Sequence, residues 1–227
     1  MAEVKKIVRL SYNAYLADED KLFDTTDAEE AKKAGIFNEK YTYAPIVYIS
    51  GSSKVFAPLA EAIDAAEVGK KTEVLIPCEQ AAGPRDPKLV ELHQLKEFSS
   101  QKINPYPGLV VSFGNKTGIV QTVSGGRVKV DFNNTLRGHD LKYIFTITEE
   151  VADADKGKAI LECDFGNSEG FDVKVEDGKV VVSEPDLCKF DQNWPVAKYR
   201  VVSDLRAAYN VTRVDFVQTW DIAEPKQ

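Results

Sequence analysis

The sequence has no apolar run long enough to cross a membrane and no clear export signal. Charged and polar side chains interrupt every apolar stretch of its 227 residues well before the roughly 20 residues of a transmembrane helix. Near the N-terminus, Arg9, Ser11 and Asn13 break what would be the apolar region of a signal peptide. We therefore expect a cytoplasmic protein without a membrane partner.

Cysteine and histidine are too sparse for a disulfide framework or a histidine-rich metal site. The three cysteines, Cys78, Cys163 and Cys188, are an odd number without CxxC spacing, which suits a reducing compartment. A pairing of Cys163 with Cys188 stays open. With His93 and His139 as the two histidines, we expect no metal centre and no cofactor.

An excess of positive charge is also missing. Lysine and arginine number 29 against 36 aspartates and glutamates, so the formal net charge is -7. A surface of this sign is unsuited to nucleic acid or to anionic membranes. The 43% of apolar residues and the length allow a sizeable core, in one large domain or two to three small ones.

The residues up to Gly83 predict mostly strands with two helices. Strands are expected at KIVRLSYNAYLAD, PIVYISG and KKTEVLIP, and a helix from Pro58 to about Glu67. Another short helix is expected at TDAEEAKKAG, since Thr26 and Glu29 have capping-box spacing and Gly35 is a typical C-terminal stop.

The sequence after Gly83 predicts a separate small module. Four prolines surround a predicted amphipathic helix with Leu89, Leu92 and Leu95, and three short strands follow: LVVSFG, GIVQTVS and RVKVDF, with a turn at Gly125-Gly126. The next stretch, VDFNNTLRGHDLKYIFTI, is strand-like at both ends but is interrupted at positions 133–138 by more residues than a hairpin needs. We interpret it as the point where the chain leaves this module and re-enters the first.

The C-terminal region predicts a small α+β domain after a polar linker at 152–158. Strands are expected at AILECDFG and FDVKVEDGKVVV, with an Asp177-Gly178 turn. The helix WPVAKYRVVSDLRAAY has Pro195 in its first turn, and one apolar stripe contains Trp194, Ala197, Val201, Leu205 and Ala208. The last strand alternates Val214, Phe216, Trp220 and Ile222. Trp194, Tyr199, Tyr209, Phe216 and Trp220 exceed what one helix is expected to cover, which predicts self-association as a homodimer. The alternative is a monomeric domain in which all these aromatic side chains pack internally.

Six segments resemble, in order, the FKBP-type peptidyl-prolyl isomerases: IVRLSYNAYL, KLFDTT, PIVYISG, the helix with VGKKTEVLIP, AAGPRDP and VDFNNTLRGHDLKYIFTI. The resemblance covers residues 1 to about 150 and is closest to SlyD-like and long archaeal members, in which an insert-in-flap module interrupts the flap loop. Their chain returns through a segment resembling VDFNHxLAGKxL. Val130, Asp131, Phe132, Asn133, Leu136, Gly138 and Leu141 match it here, whereas Asn134, Arg137 and His139 depart.

The resemblance implies an α+β fold of three parts. An FKBP-like antiparallel sheet wrapped on a helix takes residues 1–83 and 135–151, a small β-rich insert-in-flap chaperone domain takes 84–134, and an α+β domain takes 152–227. The helix DAEEAKKAG after FDTT resembles the archaeal form, and the extra C-terminal domain is associated there with dimerisation.

The implied activity is rotation about X-Pro bonds of unfolded or proline-containing polypeptides. Its barrier of ~18–20 kcal/mol reflects lost amide resonance, so an apolar cleft serves and no nucleophile or metal is required. The family's cleft maps onto Tyr12, Phe23, Asp24, Ile46, Val55, Phe56, Leu59 and Tyr143. Asp24 would orient a polar neighbour and the Phe56 N–H would bind a substrate carbonyl. The chaperone surface maps onto Leu89, Val90, Leu92, Leu95 and Phe98.

Departures from the family pattern predict weak catalysis. The family's AYG is Ala81-Ala82-Gly83, which lacks the tyrosine donor, and its VIxGW is Val55-Phe56-Ala57-Pro58-Leu59. A lost donor raises a barrier by roughly 1–4 kcal/mol. Two hypotheses remain: an isomerase with a chaperone module, or a binding-only chaperone on a decayed isomerase scaffold. A C-terminal dimer is compatible with either.

Overall fold

The computed structural model describes residues 6–220 of the chain, which contain twelve strands and five α-helices. Short 3-10 turns lie at Cys78–Gln80, Pro87–Leu89 and Asp186–Lys189. In chain order the elements are β1 (Ile7–Leu16), β2 (Lys21–Thr25), α1 (Ala28–Lys33), β3 (Ile46–Ile49), α2 (Ala57–Ala65), β4 (Lys71–Ile76), β5 (Val90–Gln94), α3 (Leu95–Ser100), β6 (Val110–Phe113), β7 (Lys116–Ser124), β8 (Arg127–Asp131), β9 (Leu141–Glu150), α4 (Lys156–Phe165), β10 (Asp172–Glu176), β11 (Lys179–Glu184), α5 (Trp194–Tyr209) and β12 (Arg213–Gln218).

The first sheet has five strands in the order β2-β1-β9-β4, and β3 also pairs with β1. The β1–β3 pair is antiparallel, with Ile7 opposite Ile49 and Leu10 opposite Ile46. Helix α2 buries Leu59 and Ile63. The mixed composition of antiparallel sheets and helices confirms the predicted α+β fold.

Helix α1 begins one residue later than the predicted capping box implies. Asp27 is the N-cap, and its side chain accepts hydrogen bonds from the N–H groups of Glu29 and Glu30. The predicted cap residue, Thr26, instead accepts a hydrogen bond from Tyr12 N–H at 2.9 Å. The capping box was therefore wrong, because an aspartate next to Thr26 takes the capping position.

The inserted module contains a four-stranded sheet in the order β5-β8-β7-β6. The predicted helix through Leu89, Leu92 and Leu95 is wrong, because residues 90–94 form β5 and pair antiparallel with β8. Helix α3 starts only at Leu95. The module has a buried cluster of its own, formed by Phe98, Val111, Val120, Val128 and Val130.

Two residues of the re-entry segment connect the chain entering the module with the chain leaving it. Asp131 is buried and accepts hydrogen bonds from Arg85 Nε at 2.8 Å and from Asn133 N–H at 2.8 Å. The Asn133 amide in turn donates to Asp86 O at 3.0 Å and accepts from Asp86 N–H at 2.9 Å. The two crossing segments are thus joined by side chains as well as by the β5–β8 ladder.

The C-terminal region contains a three-stranded sheet in the order β10-β11-β12, in which β11 and β12 run parallel. The predicted strand AILECDFG is wrong: these residues belong to α4, which begins inside the segment predicted as a linker. Residues 159–161 are all buried, because α4 packs on β3, β10 and α5. The strand was predicted because an apolar run without helical spacing, such as the one in this segment, is also typical of a buried strand. A Cβ at Gly157 would lie 2.5 Å from Val173 Cγ1, so close packing favours a glycine that weakens the helix signal.

The helical stripe predicted for α5 is confirmed. Trp194, Ala197, Val201 and Leu205 are buried, and Ala208 packs against the same cluster. Val214 and Phe216 of β12 are partly buried there, whereas Trp220 follows the strand and is 63% exposed. Ile222 lies outside the described residues.

The cluster around α5 also includes side chains of the first sheet. Ile7, Val47 and Ile49 are buried in one continuous core with Trp194 and Leu205. The three cysteines are free thiols, so Cys163 and Cys188 do not pair. None of the helices within residues 6–220 has the length and apolar content needed to cross a bilayer.

Candidate functional site

A cleft of about 560 Å³ opens between α2, the segment before β3 and the face of β1 and β9. Apolar side chains form its floor and walls, including Leu10, Val47, Ile63 and Phe145. Thr42, Ala44 and Pro45, in the segment between α1 and β3, form one side. The cleft is therefore mainly apolar with polar groups at its edges, an arrangement typical of small-ligand and peptide sites.

Seven of the eight side chains predicted for the prolyl cleft line this one cavity. They are Tyr12, Asp24, Ile46, Val55, Phe56, Leu59 and Tyr143. The eighth, Phe23, lies in an adjoining hollow of about 200 Å³ that shares Tyr12, Asp24 and Ile46 with the cleft. The Phe23 ring meets the Tyr143 ring edge-on, with centroids 6.1 Å apart.

The polar edge of the cleft is a tyrosine–aspartate pair. Tyr12 donates its hydroxyl to Asp24 Oδ2 at 2.7 Å, and the Tyr12 and Tyr143 ring centroids are 6.0 Å apart. Burial, and to a smaller extent the hydrogen bond to Asp24, raises the pKa of Tyr12 well above its ordinary value. Burial and the charge of Asp24 likewise raise the pKa of Tyr143 to about 12. Both tyrosines thus stay protonated near neutral pH and offer O–H groups rather than charges.

The N-terminus of α2 supplies backbone donors at the other edge. Phe56 is the N-cap residue, in an extended conformation. Pro58 occupies the first turn, where a missing N–H costs nothing because that group has no partner within the helix. The proline at the position of the family's glycine is therefore compatible with α2. Leu59, which the family resemblance aligns with a tryptophan, is 6% exposed and lines the cavity.

A further wall of the cleft comes from the C-terminal region and was missed from the sequence. Glu162, Cys163 and Gly166, at the end of α4, line the same cavity, as does Lys54. Burial raises the pKa of the Cys163 thiol above its ordinary range, so it is not activated as a nucleophile. No short sequence motif identifies this wall, because the sequence of its segment has the pattern of a strand.

The predicted chaperone residues divide into a core set and a surface set. Phe98 is fully buried in the module's cluster, and Leu95 packs against it. Leu92 is 60% exposed, whereas Leu89 and Val90 are half-buried. Phe98 is therefore part of the core and not of a contact surface. Tyr106 and Val110 are also exposed, at 59% and 62%, and were not predicted.

One group within residues 6–220 has donor atoms close enough to hold a metal ion. It consists of Asp18, Glu19 and His139, with ligand atoms within 4.8 Å of one another. His139 Nδ1 lies 2.8 Å from Asp18 Oδ2, and both carboxylates are exposed. Asp18 and His139 therefore form an ion pair with each other when His139 is protonated. Among the described residues, the cleft itself has no such cluster.

Comparison with known proteins assigns the chain to a family. Residues 92–136 match the family described as the FKBP26 IF domain, and residues 153–221 match the FKBP26 C-terminal family. A short-type peptidyl-prolyl cis-trans isomerase of Methanocaldococcus jannaschii is 27% identical over 146 residues, covering 64% of this chain and 93% of that protein. The chain is an FKBP-type peptidyl-prolyl isomerase family member.

The cleft of this FKBP-type protein provides apolar walls, O–H groups and backbone N–H groups. These groups can bind a neutral amide and exclude water from it. The two matched families cover the inserted module and the C-terminal domain, which identifies the chain as an FKBP-type protein with an extra C-terminal domain.

Proposed function

We propose that the protein catalyses cis-trans isomerisation of X-Pro bonds in unfolded or proline-containing polypeptides. One observation carries this proposal: seven side chains at the family's cleft positions line a single apolar cavity, with the Tyr12–Asp24 pair at its edge. The M. jannaschii relative is named for the same reaction. The similarity to this relative and the cavity both support the proposal.

The reaction would follow from the walls and donors of the cleft. A planar prolyl amide is polarised by resonance, and the twisted transition state is less so; an apolar cavity therefore disfavours the ground state relative to the twisted state. The Phe56 N–H at the start of α2 holds the substrate carbonyl. Asp24 fixes the Tyr12 hydroxyl by a hydrogen bond of 2.7 Å, and Tyr143 encloses the ring from the opposite strand.

The isomerase proposal is tested by protease-free NMR exchange measurements on an Ala-Leu-Pro-Phe peptide. Tyr143→Leu removes a cleft wall, and we expect a drop of about tenfold or more in kcat/KM, the equivalent of about 1.4 kcal/mol of transition-state stabilisation. Val175→Ala truncates an exposed side chain of β10, outside the cleft and outside the proposed binding surfaces, and serves as the control. Equal activity of the two variants, or an inactive wild type, would contradict the proposed site.

Catalysis is proposed to be weak, because Ala82 stands where the family carries a tyrosine donor. Restoring the donor with Ala82→Tyr is expected to raise kcat/KM by about tenfold, within the range that one preorganised donor contributes. Ala82→Phe adds the ring without the hydroxyl and separates packing from hydrogen bonding. Equal rates for both variants would assign the deficit to something other than the missing hydroxyl.

The inserted module is proposed to bind unfolded chain. Three of its apolar side chains, Leu92, Tyr106 and Val110, are exposed although the module has a buried core elsewhere. Exposed apolar groups of this kind suit weak, sequence-tolerant binding of unfolded polypeptide. A binding-only chaperone on a decayed scaffold remains the alternative, and inactivity of both the wild type and Ala82→Tyr would favour it.

Replacement of residues 84–134 by a short loop is expected to abolish suppression of aggregation of a reduced, unfolded client. A milder change, Leu92→Ser with Val110→Ser, removes exposed apolar surface and leaves the core side chain Phe98 in place. It should weaken suppression severalfold at unchanged melting temperature. Suppression that is undiminished in both variants would move the chaperone role elsewhere.

Self-association through the C-terminal domain is proposed from a second exposed surface. Phe190, Val196 and Tyr199 are 84%, 69% and 85% exposed, and Trp220 meets Phe190 edge-on at 6.2 Å between centroids. A two-fold dimer is the commonest way to cover exposed apolar side chains of this kind. We expect sedimentation of the full chain at tens of micromolar to give a dimer and Tyr199→Lys to give a monomer. A monomeric wild type would overturn the proposed dimer.

A further inference from the structure

The last turn of α4 lies along the proposed substrate cleft. Glu162 and Cys163 line the cavity together with Val55 and Phe56 of the segment between β3 and α2. Gly166 ends the helix with a φ of +88°, a left-handed conformation that glycine adopts without strain, and also lines the cavity. The position of this turn is therefore fixed by a helix end and not by a free loop.

Lys54 connects the two walls. Its ammonium lies 2.5 Å from Asp164 Oδ1, 2.7 Å from the Cys163 carbonyl oxygen and 3.3 Å from Cys163 Sγ. Three partners match the three donors of an ammonium group, so Lys54 is fully engaged with the end of α4. Because Lys54 is adjacent to Val55 in the chain, these contacts fix the start of the segment that carries Phe56.

The ion pair is well shielded on the side of α4. The Asp164 side chain is 0% exposed and that of Lys54 is 35% exposed. Burial alone lowers the pKa of Lys54, but the hydrogen bond and charge of Asp164 raise it overall, so the lysine stays charged. A second tie holds the same turn, since Arg9 donates two hydrogen bonds of 2.7 Å to the Glu162 carboxylate.

We propose that the last turn of α4, residues 162–166, is a wall of the substrate-binding cleft, and that the Lys54–Asp164 pair positions the Val55–Phe56 segment against it. The C-terminal domain is then part of the isomerase site as well as a separate interaction surface. The proposal rests on the proposed isomerase function and extends it. Lys54 and Asp164 are positioning residues, because their own charged groups are used in contacts with each other.

The charges on this wall are largely neutralised within the protein. Glu162 is paired with Arg9 and Asp164 with Lys54, so the wall presents mostly paired charge and the Cys163 side chain to the cavity. A wall of paired charge does not select strongly by the charge of the bound peptide.

The kinetic test compares two lysine variants that break similarly buried ion pairs. Lys54→Met releases Asp164, and Lys198→Met releases Glu184, whose side chain is 1% exposed and lies 2.5 Å from Lys198 Nζ outside the cleft. We expect kcat/KM for Ala-Leu-Pro-Phe to fall about fivefold in Lys54→Met, mainly through KM, and to stay unchanged in Lys198→Met. Lys54→Arg keeps the charge and should recover most of the loss. Equal kinetics in Lys54→Met and Lys198→Met would overturn the positioning role.

An NMR titration of the full chain with the same peptide tests the wall without relying on turnover or on a variant's stability. We expect the backbone amides of Phe56, Cys163 and Gly166 to shift on binding, while those of Val180 and Leu205 in the C-terminal core stay unchanged. Shifts at Phe56 without shifts at Cys163 and Gly166 would overturn the wall and leave the isomerase site intact. Shifts at none of the cleft residues would contradict the proposed function itself.

Discussion

The inserted module and the C-terminal domain bury their apolar side chains in different ways. The module's cluster consists of its own residues, centred on Phe98, Val128 and Val130. The C-terminal cluster, centred on Trp194, is continuous with Ile7 of the first sheet. A region with its own core can therefore be exchanged as a unit, whereas a region that shares a core can also contribute to a neighbouring site.

The shared core also explains why α4 can serve as a wall of the cleft. Helix α4 packs on β3 through buried residues of the common cluster, and the same helix ends beside Lys54. Packing therefore fixes the helix axis, and the ion pairs of Glu162 and Asp164 fix its end. The proposed substrate site thus depends on residues more than 150 positions apart in the chain, such as Arg9 and Glu162.

The largest expected effect is that of Trp194→Ala. Trp194 is 1% exposed and packs on the rings of Phe165, Phe171 and Phe216. We expect a loss of about 3–5 kcal/mol in the free energy of unfolding, because the cavity cannot collapse among three other rings. Since the core is shared, hydrogen exchange should accelerate in β1 as well as in α5. Acceleration confined to the C-terminal domain would contradict a core shared with β1.

Phe98→Ala makes a truncation of similar size in the inserted module. Phe98 is 0% exposed within the separate cluster, so a local loss of about 3–5 kcal/mol is expected there. Hydrogen exchange should accelerate in β7 and β8, with β1 and β9 protected as in the wild type. Equal acceleration in both regions would show that the two cores unfold as one.

Asn133→Ala should have a smaller effect at the junction of the module. It removes the two hydrogen bonds to Asp86 and one to Asp131 from the Asn133 side chain. About 1–2 kcal/mol of local stability should be lost, seen as faster exchange in β5 and the end of β8. Asn134→Ala, at the neighbouring position that departs from the family pattern, is the control and should leave these strands protected.

The smallest effect concerns pH. Burial, followed by the negative charge of Asp164, raises the pKa of Asp204 from 3.8 to about 6, while Lys54 and Arg200 act in the opposite direction. The folded chain then binds this proton more tightly than the unfolded chain, so the contribution of Asp204 to stability falls as pH rises between those two values. Chemical denaturation of Asp204→Asn across this window should lack that decline, and an unchanged profile would contradict the assignment.

Asp215 provides a comparison of the opposite sign. Hydrogen bonds from Arg213 and Lys179 lower its pKa, so its stabilising contribution is present at neutral pH and disappears on acidification below the ordinary range of an aspartate. Asp215→Asn should therefore lose stability at neutral pH and show a weaker acid dependence than the wild type. If the stability contributions of Asp215 and Asp204 changed with pH in the same direction, the opposite pKa shifts of the two carboxyl groups would be contradicted.

The sequence was informative where the pattern is local or where a motif identifies the family. The Asp177-Gly178 turn, the apolar stripe of α5 and the strands β6 to β8 were predictable, because each depends on spacing within a few residues. The cleft positions required the family resemblance, since Tyr12 and Tyr143 are brought together by the pairing of β1 with β9.

The two wrong secondary-structure predictions, at α4 and β5, have a common physical origin in tertiary contacts. Helix α4 was predicted as a strand, because burial on several sides removes the helical alternation of polar and apolar residues. Strand β5 was predicted as a helix, since pairing with β8 overrides the spacing of its leucines. The cleft wall at Cys163 and its contact with Lys54 exist because residues 156–165 form a helix, and no local signal in the sequence identifies them.

The most direct test of the account is the NMR exchange rate of Ala-Leu-Pro-Phe with the full chain and with a chain that ends at Glu150. Truncation removes α4 from the cleft and exposes Ile7 and Ile49, which are 1% and 2% exposed in the full chain. The account predicts measurable catalysis by the full chain and a large loss in the truncated one. Equal catalysis by both would contradict a shared site, and no catalysis by the full chain would contradict the isomerase function.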